Sequence, residues 1–315
     1  MKNWLRYSIF ALLGMLMQPA FAAEWLPEPI RVSSHAWAWI GPYEGPNKAN
    51  RGFRMNLGFV TGKDAVAVID SGYSPEMAQA MLRQIRKRTP LPVRYVINTN
   101  SQPHRFLGND VFREAGAEII AAREAAARME SEGAGLAAAA TSALELKEGS
   151  IQAPKAPDRM IEEGAPVAIE LGGGVRLKII HLGQAHTRGS LVVEVVPDMT
   201  VFAGDILYGG RLLAVLPDSS LTGWIAAYDK LRGMKAKQMV PGHGEVAPLA
   251  SFEHPTYRYL AALKSHMDKA VKEGVDVGQA TADFDAAAWK NLANFAELAG
   301  RNASLAYLES EAEGF

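Results

Sequence analysis

Residues 57–72 of the chain are LGFVTGKDAVAVIDSG. Two short apolar runs flank the turn sequence TGKD at 61–64, a pattern typical of a β-hairpin. The next segment, Pro75 to Arg88, has apolar side chains at helical spacing, and VRYVINT at 93–99 has the composition of another strand. A hairpin, a helix and a further strand in this order predict an α/β fold.

The second half of the chain repeats this mixture of strands and helices. Its apolar runs predict four strands, with turns at Gly172-Gly173-Gly174 and Pro197-Asp198, and then helices that continue to Leu308. These expected strands are 167–171, 175–182, 190–196 and 200–203, and the expected helices include 221–232 and 255–272. Two strand-rich halves, each followed by helices, predict two facing sheets covered by helices on both outer sides. The expected architecture is a four-layer αββα sandwich.

An Ala-rich segment lies between the two halves. Residues 121–146 are rich in Ala, Glu and Arg, which favour helix, but Gly133 and Gly135 disfavour it. We therefore expect one or two helices there, interrupted around residues 133–135.

The N-terminal residues have the pattern of an export signal. Lys2 and Arg6 precede an apolar run from Tyr7 to Met17, and the small residues of Ala20-Phe21-Ala22 suit cleavage. This run is shorter than the about 20 residues that a membrane span needs. We expect residues 1–22 to be a cleaved signal peptide, an uncleaved anchor being the alternative, and the protein to be periplasmic or secreted without a membrane span.

Composition limits the possible functions of the mature chain. With 48% hydrophobic residues it can bury a full core, and we expect one domain over residues 23–274 followed by a C-terminal helical extension at 275–315. The net charge of -1 gives no electrostatic basis for binding nucleic acid. The chain has no cysteine, so any metal ion would be held by His, Asp and Glu.

Chemically distinctive residues follow the predicted strands. They are Asp70-Ser71-Gly72, the segment NTNSQPHR at 98–105, GQAHT at 183–187, FAGD at 202–205 and PGHG at 241–244. Strand ends that meet at one edge of a layered fold form a natural site for a small-molecule substrate or ligand.

These segments resemble those of the metallo-β-lactamase superfamily over nearly all of residues 32–272. The chain is most similar to the branch called quinoprotein relay system zinc metallohydrolases, an exported group associated with quinoprotein dehydrogenase systems. The resemblance is carried by the hairpin ending at Asp70, GQAHT at 183–187, FAGDIL at 202–207, SLTGW at 220–224 and VPGHG at 240–244. It implies metal ligands at His186, Asp205 and His243, a hydrolase activity and a periplasmic quinoprotein system as partner.

The central motif departs from that family. The family carries His-x-His-x-Asp-His after the strand that here ends at Thr99, whereas this chain has Asn100 and Gln102 in place of the two histidines and His104-Arg105 in place of Asp-His. Carboxamides are poor zinc ligands. We therefore expect the first metal site of the family to be lost, and at most one zinc ion to be held by His104, Asp205 and His243, with His186 nearby.

The positive charge of Arg105 disfavours binding of that single zinc ion. A guanidinium about 5 Å from a divalent cation would be repelled by on the order of 6 kcal/mol at an effective dielectric constant of about 20. Alternatively, Arg105 occupies the vacated space and pairs with Asp205, so that one cation replaces another.

Three states follow from these alternatives. A single-metal hydrolase would use an activated water that Asp205 or His186 orients or deprotonates. A metal-free enzyme would use His104 or His186 as general base and Arg105 to stabilise an oxyanion. A non-catalytic protein would bind a polar or anionic small molecule, or a partner, through Arg105, Asn100 and Gln102.

Two further residues have expected roles at this site. Arg211, which follows Asp205, is a candidate for substrate contact. Asp70 is expected to hydrogen-bond backbone amides near the site rather than to bind metal.

Overall fold

The computed structural model describes residues 24–314 and confirms an α/β fold with two mixed sheets flanked by helices. The first sheet contains, in this order, β1 (Ile30–Arg31), β2 (Ala36–Trp39), β3 (Leu57–Thr61), β4 (Val66–Ile69), β5 (Val93–Ile97), β6 (Glu118–Ala122) and β7 (Arg159–Ile161). The second sheet contains β8 (Val167–Gly172), β9 (Val175–His181), β10 (Leu191–Val195), β11 (Thr200–Tyr208) and β12 (Gln238–His243). Across this sheet the strand order is β12-β11-β10-β9-β8. The predicted signal peptide lies outside the described residues.

Eight α-helices complete the described chain. They are α1 (Pro75–Arg88), α2 (Pro103–Phe106), α3 (Asn109–Glu114), α4 (Arg123–Ala143), α5 (Leu221–Gly233), α6 (Tyr259–Lys272), α7 (Val277–Asp283) and α8 (Phe295–Glu313). Shorter 3-10 turns occupy Val196–Asp198, Leu249–Phe252 and Ala287–Trp289, and a π-helical turn, Glu253–Arg258, leads into α6. In residues 24–314 no helix is both long and apolar enough to cross a membrane.

Both sheets mix antiparallel and parallel pairs. β1 to β4 pair antiparallel, and β4 to β7 pair parallel through the crossover helices. In the second sheet β8 to β11 are antiparallel, and β12 joins β11 in parallel. Parallel pairing brings the ends of β4 and β5, and those of β11 and β12, to common edges. Those edges carry the polar residues that the sequence singled out.

Alternation of side chains builds two hydrophobic cores. On β10, Leu191, Val193 and Val195 face the first sheet, whereas Val192 packs on the opposite side with α5 and α6. Such two-residue periodicity is that of a sheet covered on both faces. The first core therefore lies between the sheets, and the second lies between the second sheet and its helices.

The helices beyond residue 275 belong to the second core. Leu298, Ala303, Ala306 and Tyr307 of α8 are buried there. The Asn302 side chain accepts a hydrogen bond from the Val215 amide at 2.9 Å and donates one to Leu213 O at 2.8 Å. These contacts tie the tail to the second core and to the segment between β11 and α5, while a domain boundary at residue 274 stays a prediction.

Two sequence predictions about secondary structure were wrong. Helix α4 is a single helix through Gly133 and Gly135, because its Ala-rich flanks sustain the backbone and Gly133 lets Ala153 approach closely. Strand β11 continues to Tyr208 instead of ending at Ala203. Its register with β12 shifts on both sides of Gly204, so Asp205 lies within a bulged strand rather than in a loop.

Candidate metal centre and its cavity

Arg105 forms the floor of the site. Its guanidinium is completely buried, and each of its N–H donors has an acceptor. Nε and Nη2 form a bidentate pair with Asp205, at 3.1 Å to Oδ2 and 2.6 Å to Oδ1. Nη1 donates to Asp70 Oδ2 at 3.1 Å and to Asn56 O at 2.7 Å, and Nη2 also donates to Gly242 O at 3.3 Å. The predicted pairing of Arg105 with Asp205 is confirmed.

Asp70 is the second carboxylate on the same guanidinium. Its Oδ1 accepts the Thr99 backbone N–H at 2.7 Å, which confirms the expected backbone role, and the Thr99 hydroxyl donates to Oδ2 at 2.9 Å. Asp70 has a φ of 63°, a left-handed conformation that Asp tolerates better than most residues. Burial raises the pKa of Asp70 to about 6, against the attraction of Arg105. One cation therefore balances two buried carboxylates.

Three histidines surround the Asp205 carboxylate. The Nε2 atoms of His104 and His186 lie 3.5 and 3.9 Å from Oδ2, and Nε2 of His243 lies 3.5 Å from Oδ1. Ligand atoms of His104, Asp205 and His243 are all within 4.8 Å of one another. In the described chain, His104 Nε2 and His186 Nδ1 are buried without a hydrogen-bond partner. His243 Nδ1 lies 2.9 Å from Arg54 O, a contact that leaves Nε2 unprotonated.

The charges of these groups follow from burial and from Arg105. Burial, reinforced by repulsion from Arg105, lowers the pKa of His104 to about 3, and burial also lowers the pKa values of His186 and His243. Burial opposes ionisation of Asp205, but attraction by Arg105 outweighs it and holds its pKa well below the usual range. At neutral pH the site therefore presents three neutral imidazoles and a carboxylate.

A cavity of about 300 Å³ opens above this centre. The three histidines form its floor with Gln102 and Tyr208, whose ring stacks on His243 at a centroid distance of 5.0 Å. Its walls and rim are formed by Pro46, Arg54, Tyr73, Pro103, Arg211, Ala214, Leu216, Glu297, Leu298 and Arg301. A volume near 300 Å³ is at the lower end of the range for small-molecule sites.

The predicted substrate-binding residues occupy different positions. Gln102 and Arg211 line the cavity. Asn100 is buried beneath it, where its amide donates to Asp205 Oδ2 at 2.8 Å. The catalytic roles of His186, Asp205 and Arg105 stay predictions.

Sequence reasoning missed several residues of the cavity. Arg54, Tyr73, Glu297 and Arg301 all line it, although none belongs to a recognisable motif. They reach the cavity from loops and from α8, far along the chain from the metal ligands. No local pattern distinguishes such residues from ordinary surface side chains.

The donor set fits one zinc ion and does not fit two. Two imidazoles and a carboxylate are a known catalytic zinc set, and one ligand atom from each of His104, Asp205 and His243 lies within 4.8 Å of the other two. Arg105 and Asn100 use three of the about four acceptor positions on Asp205, so one remains. The carboxylate of Asp70 offsets part of the repulsion between Arg105 and an ion. A second ion lacks a sufficient ligand set, because Asn100 and Gln102 stand where the family has histidines and only His186 is left with the shared Asp205.

The fold and site together define a class: an αββα protein with a histidine-ringed carboxylate at the edge between its sheets. The family model of the metallo-beta-lactamase superfamily matches residues 52–243. The chain belongs to this superfamily, for which zinc is the typical metal.

Individual relatives are distant. The chain is 24% identical over 260 residues to metallo-beta-lactamase IND-1 of Chryseobacterium indologenes, covering 81% of this chain and 97% of that protein. It is 25% identical over 223 residues to the 2,4-dinitroanisole O-demethylase subunit alpha of Nocardioides sp. (strain JS1661), covering 69% and 61%. The solved structure of a metallo-beta-lactamase from Pontibacter korlensis superposes with a TM-score of 0.57 at 20% identity, covering 74% and 98%. That likeness shows the fold alone.

Proposed function

We propose that this protein is a hydrolase that works with a single divalent metal ion held by His104, Asp205 and His243. The observation that carries the proposal is the convergence of these ligand atoms within 4.8 Å, beneath a cavity that reaches them. His104 Nε2 supports it further, since a buried nitrogen without a partner costs free energy unless a ligand satisfies it.

Each residue of the centre has a distinct part in this proposal. The bound ion would supply Lewis acidity toward the substrate. His186, whose Nε2 lies 3.9 Å from Asp205 Oδ2, orients the attacking water and accepts its proton, while Asp205 holds the ion. Arg105 is a positioning residue, because its bidentate pair holds the Asp205 carboxylate in one orientation.

The fold does not determine which chemical bond the enzyme cleaves. The names of two relatives refer to different substrates, a β-lactam and 2,4-dinitroanisole. We propose an ester, lactone, thioester or β-lactam bond in a small substrate. The sequence pattern at residues 1–22 and the resemblance to the quinoprotein-associated branch support a periplasmic location beside such a dehydrogenase system.

Metal analysis tests the proposal directly. The mature chain, incubated with zinc and desalted, is expected to retain about one equivalent by mass spectrometry of the metal, and His243→Ala is expected to lose it. His254→Ala is the matched control, since His254 is exposed and outside the site. No retained zinc in the native chain, or equal retention by His243→Ala, would contradict the proposal.

A second function is favoured by one observation, the full use of every Arg105 donor within the protein. A cation already neutralises Asp205, so the same pocket suits a metal-free protein that binds a polar small molecule or a partner. The two functions differ in zinc content, and the same measurement separates them.

A further inference from the structure

Two arginines of the cavity wall have no carboxylate partner. Among residues 24–314 no Asp or Glu oxygen lies within 4.0 Å of a side-chain nitrogen of Arg54 or Arg211, although Arg105 below them contacts two carboxylates. We propose that Arg54 and Arg211 bind an anionic group of the substrate, a carboxylate or a phosphate. This inference rests on the proposed function of the same cavity and specifies its substrate class.

The Arg211 side chain is buried in the wall of the cavity. Only 3% of its surface is exposed, its Nε donates to Leu212 O at 3.3 Å, and its guanidinium lies 5.8 Å from the Tyr208 ring centroid. These contacts fix the stem and one edge of the guanidinium. Its two terminal nitrogens have no acceptor in the described chain, so they are available to a ligand in the cavity.

Arg54 supplies the second cation from the loop before β3. It is half-buried, and its Nε is buried without a hydrogen-bond partner in residues 24–314. Its backbone carbonyl faces His243 Nδ1, which anchors the residue next to the metal centre. Burial, together with repulsion by Arg211, lowers the pKa of Arg54. Two neighbouring guanidinium groups without a counter-ion are unfavourable unless an anion joins them.

Among the described residues, no other charged side chain that lines the cavity forms an ion pair with Arg54 or Arg211. Glu297 and Arg301 are both exposed at the rim, four residues apart on α8, and their opposite charges contribute no net charge. On the floor, Asp205 and Asp70 face Arg105. Arg54 and Arg211 therefore line a volume of about 300 Å³ without a partner carboxylate among the described residues, and this volume suits one small oxyanion rather than a polyanionic chain.

Calorimetric titration with two probes tests the inference. Inorganic phosphate and glutarate are titrated into the mature chain after removal of metal by EDTA, because phosphate can also bind zinc. We expect saturable binding that weakens with added NaCl. Arg54→Met and Arg211→Met should each raise the Kd by about tenfold or more, because each variant loses one charge-assisted contact with the anion. The double variant should show no saturable binding.

Controls separate recognition from structure. Arg94→Met, at an exposed position on β5, should leave both affinities unchanged. Arg54→Met should not lower the melting temperature without ligand, because it removes a cation that has no partner. If Arg211→Met does not fold, Arg211→Lys replaces it and should bind phosphate more weakly than the native chain, since lysine lacks the planar fork.

The two probes also identify the anion. Tighter binding of phosphate supports a phosphate group in the substrate, and tighter binding of glutarate supports a carboxylate. No saturable binding by the native chain, or native affinity in the double variant, would overturn the inference. Phosphate binding in a chain that retains no zinc would leave this subsite standing while the proposed metal function fails.

Discussion

Replacing Arg105 by methionine removes the one cation that the floor of the site contains. Three of its hydrogen bonds go to Asp70 and Asp205, and the side chain is only 1% exposed. Breaking a buried ion pair by removing one partner costs about 3–5 kcal/mol, because the remaining charge is left uncompensated. We expect Arg105→Met to lower the free energy of unfolding by that amount at pH 7 in metal-free buffer.

The pH dependence of this loss is a second part of the prediction. Without Arg105, the pKa of Asp70 should rise further above about 6, and that of Asp205 should rise above its unfolded value. A raised carboxylate pKa destabilises the native state above that pKa, and the penalty disappears as pH falls toward the unfolded pKa of about 4. The difference between native and variant should therefore be smaller at pH 5 than at pH 7.

The free energy of unfolding is measured by equilibrium unfolding in urea, with and without added zinc. Arg105→Met should recover stability in zinc more than the native chain does, since a divalent ion replaces the lost cation; saturation at 100 times Kd is worth about 2.7 kcal/mol. Arg105→Lys, which keeps the charge without the fork, should lose less stability. Arg94→Met is the surface control, expected within about 0.5 kcal/mol of native. An Arg105→Met variant as stable as this control would show that Arg105 does not stabilise the buried carboxylates.

Three other substitutions test different parts of the structure. In Gly242→Ala the new Cβ would lie 2.2 Å from Asp205 Oδ1, so we expect zinc retention to fall and stability to drop by about 1–3 kcal/mol, measured by metal content and urea unfolding. Asp198 is half-buried, which opposes its ionisation, but hydrogen bonds from Ser33 and His35 hold its pKa below the usual value. Asp198→Asn should cost about 1 kcal/mol at pH 7, and the difference should vanish as pH falls through the native pKa of Asp198. Asn302→Leu should destabilise the chain by at least about 2 kcal/mol in urea, because it leaves buried backbone groups without partners; an unchanged midpoint would show that these hydrogen bonds do not stabilise the fold.

Much of the fold follows from local pattern. The hairpin of β3 and β4, helix α1 and helix α5 were predicted within a few residues, because apolar spacing and Ser caps act over short distances. The interruption predicted in α4 was wrong, since glycine propensity is a weak influence beside a long Ala-rich context. The end of β11 was wrong because a bulge is recognised only from its pairing with β12.

The sequence alone was enough to predict the αββα class, the candidate ligands His104, His186, Asp205 and His243, and the loss of two histidines from the family's first metal site. It left open where Arg105 points. Tertiary structure alone decided that Arg105 lies between two carboxylates, because those contacts join residues 35 and 100 positions apart. It also decided that Arg54 reaches the cavity. Ion pairing of this kind depends on which side chains meet inside the fold, and no periodicity along the chain encodes it.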